Sequence, residues 1–150
     1  MGRTVPGQPD ASRGLSTDLL VAVAHVMSEL LDARDYRERV VSAMGRLGAA
    51  LDVDRVYVFE NQVEPCSGAL CASQRFEWAR DAVEAQIDNP ELQFVPYADV
   101  IPRWATELAA GRPIVGDVRD FPQSERDILD PQDILSLLVV PVLLDGQWWG

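Results

Sequence analysis

The sequence predicts an α+β fold, an antiparallel sheet with helices gathered on its faces. Three observations carry this. Two helix-patterned segments come before the first strand, so the βαβα alternation of a doubly wound sheet is absent. Two strand-patterned runs, 55–60 and 69–78, follow one another across a short polar loop, as antiparallel neighbours do. Near the end, Ile134 to Leu144 is almost unbroken aliphatic sequence and runs into Asp145-Gly146. That pair suits the positive φ of both central residues in a type I′ hairpin turn.

Taken in order, residues 1–15 are rich in Gly, Pro and small polar residues and read as a disordered leader. Residues 16–33 read as a helix capped by Ser16 or Thr17. Leu19, Val23, Val26 and Leu30 form one apolar stripe, and Leu20, Ala24, Met27 and Leu31 form a second beside it. The joint surface is wider than one contact needs. It suits either pairing with a copy of itself or packing on the chain's own sheet. A second helix is predicted over Tyr36 to Leu51, with Asp35 and Glu38 at capping-box spacing and Val40, Met44, Leu47 and Leu51 inward.

The strand from Arg55 to Glu60 is apolar at both alternating sets of positions, as inside a sheet. The next, from Ala69 to Trp78, places Cys71, Ser73, Arg75 and Glu77 on one parity. That parity is a wet outer face or the wall of a polar pocket, and periodicity favours the wet face. Residues 81–100 are irregular, with a turn at Asp88-Asn89-Pro90. A helix from Val100 to Ala110 ends before Gly111. Pro113 to Val115 is a short edge strand, and Ser124 with Asp127 resembles the cap of a short helix. The aliphatic run from Ile134 should be a strand covered on both faces. Its hairpin mate begins at Gln147 and has only four residues, Gln147 to Gly150, so the expectation is a sheet cut short.

Length and composition bound the function. A chain of 150 residues, 47% hydrophobic and 25% charged, fits one soluble domain with a real core. No apolar run is long enough to span a membrane, no secretory signal pattern is present, and two cysteines make no disulfide framework. The expected location is cytoplasmic, with no membrane contact. The net charge of −11 comes from 13 arginines, no lysine and 24 carboxylates. Such a field repels phosphates, so nucleic acid is excluded as a partner.

The segments RVYVFEN (55–61), SQRFEWAR (73–80), QIDNPELQ (86–93), Arg103-Trp104, and residues 111–150 from GRPIV to DGQWWG together resemble a GAF domain. The likeness covers about residues 36–150, within an expected GAF domain over 34–150, and is strongest to GAF modules of bacterial histidine kinases and GGDEF-type diguanylate cyclases. The resemblance implies a GAF-like antiparallel sheet with helices packed on one face and a ligand pocket on the other. It also implies a last strand and a C-terminal helix that are missing here, and a homodimer through residues 16–32. The implied function is a regulatory sensor that binds a small molecule and signals to an output domain of a parent signalling enzyme. The alternatives are a structural dimerisation module without ligand and a thiol enzyme like free methionine sulfoxide reductase, using Cys66 and Cys71.

Chemistry narrows this. His25 is the sole histidine and sits on the N-terminal helix, so no metal or haem ligand set can be assembled and no cofactor is expected. No Ser-His-Asp set and no phosphate-cradling glycine loop are present, and nothing visible would stabilise a thiolate. The chain is therefore expected to catalyse nothing. The candidate ligand residues, placed by the family's general pocket, are Arg75, Glu77, Trp78, Arg103, Trp104, Asp117 and Arg119. Paired cations with flat indoles suit a small anionic or planar ligand. The competing reading makes the tryptophans core and the Arg–Glu sets structural ion pairs.

Overall fold

The computed structural model describes Val21 and residues 36–150. The expected leader and the expected helix over residues 16–33 lie outside the described residues, apart from Val21, which is helical. The described residues divide into two compact units, those up to residue 56 with 78–83, and residues 57–77 with 84–150.

In the first unit, helix α1 spans Tyr36–Leu51, as its apolar spacing predicts. The buried stripe is Val40, Ala43, Met44 and Gly48, whereas the expected Leu51 is exposed in the last turn. Gly45 and Gly48 stand one turn apart and accept Trp78. A Cβ at Gly45 would lie 2.9 Å from the indole Nε1, and one at Gly48 would collide with the six-membered ring. Asp52 turns the chain at φ 53°, and Val53 N donates to Gly48 O at 3.0 Å. Arg80 ties down this corner, donating to Asp52 Oδ1 at 2.8 Å and to Val53 O at 3.2 Å.

Strands β1 (Arg55–Val63) and β2 (Leu70–Ala79) are neighbours, and β3 (Val95–Pro96) adds antiparallel to β2 with Ala72 opposite Val95. After β3 come the short helices α2 (Tyr97–Val100) and α3 (Pro102–Ala109). The helix expected from Val100 begins at Pro102 instead, because Pro102 lacks an N–H and suits a helix start, and the separate turn of α2 precedes it. Strand β4 (Ile114–Asp117) pairs antiparallel with β5 (Ser136–Val139). Between them lies helix α4 (Gln123–Leu129). Its cap position is Pro122, not Ser124, and Gln123 Nε2 reaches Asp127 Oδ1 at 2.7 Å along the helix.

The aliphatic run does not form one strand covered on both faces. It divides at Pro141, which cannot donate to a ladder, into β5 and β6 (Leu143–Leu144). Along β4–β5 the burial is one-sided. Ile114 is 1% exposed, whereas Val115 and its cross-strand partner Leu138 are 66% and 62% exposed. The hairpin forms as expected, with Asp145 and Gly146 at φ 50° and 77°, and β7 (Gln147–Trp148) returns along β6. Trp149 then bridges two segments: its N–H donates to Val142 O and its carbonyl accepts from Asn61 N, both at 2.8 Å.

Candidate functional site

The buried centre of the second unit is Ala72, Val95, Tyr97 and Ile101, with Phe59, Trp104, Ile128 and Trp148 packed against it. The sheet register brings Ala72 beside Val95, and Pro96 leads directly into α2, which delivers Tyr97. The Tyr97 ring stacks at a tilt on Trp148, centroids 5.0 Å apart. Its hydroxyl donates to Asn61 Oδ1 at 2.7 Å, and Asn61 Nδ2 donates to Trp148 O at 3.3 Å. Burial, with the Cys71 sulfur nearby, pushes the Tyr97 phenol well above its ordinary value. Cys71 is itself buried, its thiol donating to Ala69 O at 3.6 Å. Burial first, then Glu64 and Asp99, raises this thiol above its ordinary range. A raised thiol stays protonated at neutral pH, the reverse of what a reductase nucleophile needs.

The second parity of β2 is not the wet face that periodicity favours. Cys71, Ser73 and Glu77 are buried, and the polar pair fastens the irregular segment that crosses the strand. Ser73 Oγ accepts from Phe94 N at 2.9 Å, and Glu77 Oε2 accepts from Gln86 N at 2.7 Å. Gln93 Nε2 donates to Gln74 O at 3.2 Å. A loop without ladder partners must satisfy its N–H groups elsewhere, and short polar side chains on the neighbouring strand do so here.

The other predicted residues are dispersed. Arg75 pairs with Glu60 at 2.5 Å, half in solvent. Trp78 is packed in the first unit against α1. Arg103 grips Glu125 with two nitrogens, Nε to Oε1 at 2.9 Å and the second to Oε2, and lies 5.0 Å from the centre of the Phe121 ring. The Glu125 side chain is only 1% exposed, so this is a buried carboxylate held by a half-exposed guanidinium. Trp104 sits in the core group, and its indole N–H has no acceptor among the described residues. Asp117 and Arg119 form an exposed ion pair at 2.9 Å. They border an open cleft of about 380 Å³ with Arg126 and Asp130. A second cleft, of about 210 Å³, is bordered by Asn89, Glu91, Ser124 and Asp127. Neither includes Arg75, Glu77, Arg103 or Trp104. Sequence reasoning passed over Asn61, Tyr97 and Glu125. The spacing of Arg103 and Glu125 holds no local signal, since the pair is 22 residues apart. Among the described residues no group of three or more His, Cys, Asp or Glu is arranged to hold a metal ion.

No family model matches the chain. It is 41% identical over 132 residues to the methanogenesis regulatory histidine kinase FilI of Methanothrix harundinacea, covering 88% of this chain and 15% of that protein. It is 23% identical over 130 residues to an uncharacterized protein of Azorhizobium caulinodans, covering 83% of this chain and 17% of that one. The chain thus spans less than a fifth of the length of either curated relative. Among solved structures it is similar to the phycoerythrobilin-bound GAF domain of a cyanobacterial phytochrome, with a TM-score of 0.63 and 13% identity, over 90% of this chain and 79% of that one. The mixed helix and antiparallel-sheet architecture is therefore GAF-like, and the chain is similar over most of its length to part of a regulatory histidine kinase.

Proposed function

We propose that this chain is a regulatory sensor module that binds a small molecule in the unit formed by residues 57–77 and 84–150. The signal passes through dimerising helices over residues 16–32 to a histidine kinase output, on the cytoplasmic side. The observation that carries this is the 41% identity to a regulatory histidine kinase over 88% of the chain, on a GAF-like fold. A kinase output is preferred to a diguanylate cyclase because the relative is a kinase. The bilin of the structural neighbour is not carried over, since at 13% identity the likeness extends to the fold. Among the described residues no helix is long and apolar enough to cross a membrane.

The module performs no bond-making of its own; its work is a population shift, which requires a ligand with different affinities for two states. A metabolite library screened by thermal shift tests this. At a ligand concentration of 100 times Kd the stabilisation is about 2.7 kcal/mol, which moves the midpoint of a domain this size by roughly 5–10 °C. No shift from any ligand class would remove sensing by binding.

A further inference from the structure

The five arginines of the second unit differ in how firmly they are held. Arg103 and Arg112 each grip one carboxylate through two nitrogens, and Arg75 donates to Glu60 at 2.5 Å. The two held most loosely, Arg119 and Arg126, both line the cleft of about 380 Å³. Arg119 donates to Asp117 Oδ2 at 2.9 Å, with its side chain 79% exposed. Arg126 has Asp130 Oδ2 at 3.5 Å from its Nε, and that enclosed Nε has no hydrogen-bond partner among the described residues. Solvated pairs of this kind gain little over the separated, hydrated ions, so a ligand can replace one partner at small cost.

The walls that carry these charges are tied in place. Asp117 and Ser136 are cross-strand partners at the end of the β4–β5 ladder, and Val118 N donates to Leu135 O at 2.8 Å. Arg126 and Asp130 lie one helical turn apart at the end of α4, and Ile134 N reaches back to Leu129 O at 3.4 Å. The charged lining is two arginines and two aspartates, so its formal charge is zero. A bare anion would meet both aspartates, on a chain of net charge −11, and a bare cation would meet both arginines. A molecule carrying both charges meets an opposite partner for each. The rest of the lining, apart from Ser136, is apolar, and its Leu135 is 84% exposed. An apolar group laid against Leu135 removes that surface from water.

We propose that this cleft is the sensor's ligand site, and that the ligand is a small zwitterion with an apolar tail, such as an α-amino acid of the leucine or valine kind. Its carboxylate takes Arg119 and Arg126, its ammonium takes Asp117 and Asp130, and its side chain covers Ile134 and Leu135. This rests on the sensor reading above and replaces the anionic or planar ligand expected from the arginines and indoles. The cleft falls within the range of about 300–1,000 Å³ that small-molecule sites occupy.

The test titrates L-leucine and L-valine into the 150-residue chain, beside isocaproate and isoamylamine, which are leucine without its ammonium and without its carboxylate. The Nε–H signals of Arg119 and Arg126 and the carboxyl ¹³C signals of Asp117 and Asp130 are followed by NMR. The expected result is that an amino acid moves both sets together, while each half-molecule binds at least about tenfold more weakly, the factor that one lost charge-assisted hydrogen bond gives. Arg126→Gln should weaken leucine by the same factor. Arg119→Gln, at a largely solvated side chain, should do so too and decides the matter if the first variant misfolds. Two results overturn the proposal and leave the sensor reading standing: isocaproate or isoamylamine binding as tightly as leucine, or a metabolite that raises the melting point without moving these signals. Signals unmoved by leucine and valine also overturn it, and joined to no hit in the metabolite screen they remove the sensor reading as well.

Discussion

Arg103→Met is the sharpest perturbation of the second unit. The guanidinium makes two charge-assisted hydrogen bonds to Glu125, whose side chain is 1% exposed, while Arg103 itself is 39% exposed. Its removal leaves a buried carboxylate without its cation. Breaking a fully buried pair costs about 3–5 kcal/mol. Discounting for the solvent that reaches Arg103, the expected loss is about 2–4 kcal/mol. For a domain of this size that lowers the midpoint by roughly 5–15 °C. The assay is urea unfolding of four proteins, the wild type, Arg103→Met, Glu125→Leu and the double variant. Replacing both partners by apolar side chains removes the stranded charge, so the double variant should recover most of what Arg103→Met loses. A loss under about 0.5 kcal/mol in the single variant, the level of an exposed pair, would refute the reasoning. So would a double variant no better than Arg103→Met.

In the first unit, Gly48→Val drives a branched side chain into the Trp78 ring and should cost at least about 1–3 kcal/mol, measured by urea unfolding; a neutral result would deny the contact. Gln74 is 3% exposed with both ends of its amide unpartnered among the described residues, so Gln74→Leu should leave stability unchanged or raise it by about 1–3 kcal/mol, and a loss beyond 1 kcal/mol would show a hidden partner. Cys71 and Tyr97 are both raised above ordinary values of 9.0 and 10.0, so on alkaline titration the unfolded chain releases their protons before the folded one does. Their contribution is present in full below pH 9 and is lost as pH rises through the folded values, so the midpoint should fall from about pH 9 upward; a flat profile to pH 11 would contradict the burial of both groups. Iodoacetamide at pH 8 should label exposed Cys66 far faster than Cys71. Sedimentation of the chain with and without residues 1–33 should convert dimer to monomer, and a full-length monomer at micromolar concentration would end the dimer proposal.

What the linear sequence determined was local in origin. The helix over Tyr36–Leu51 appears with the predicted bounds because its apolar residues recur at helical period. The hairpin appears at Asp145-Gly146 because few other pairs tolerate two positive φ values. The α+β order followed from the succession of those patterns, with no knowledge of packing. The helix start at Pro102 was equally visible as a missing N–H, and the sequence reading gave that proline too little weight.

Tertiary structure alone decided where each charge goes. Periodicity assigned Ser73 and Glu77 to a wet face, but a side chain's solvent is set by what crosses over it, and the crossing segment 84–96 has no repeating pattern to announce its path. The arginines looked like a ligand's counter-charges for the same reason. Their carboxylate partners at 60 and 125 are distant in sequence and adjacent only once the chain has folded. Hydrophobic spacing encodes which face of an element turns inward; it carries no record of which acid meets which base, because that pairing depends on distances the chain acquires only in three dimensions.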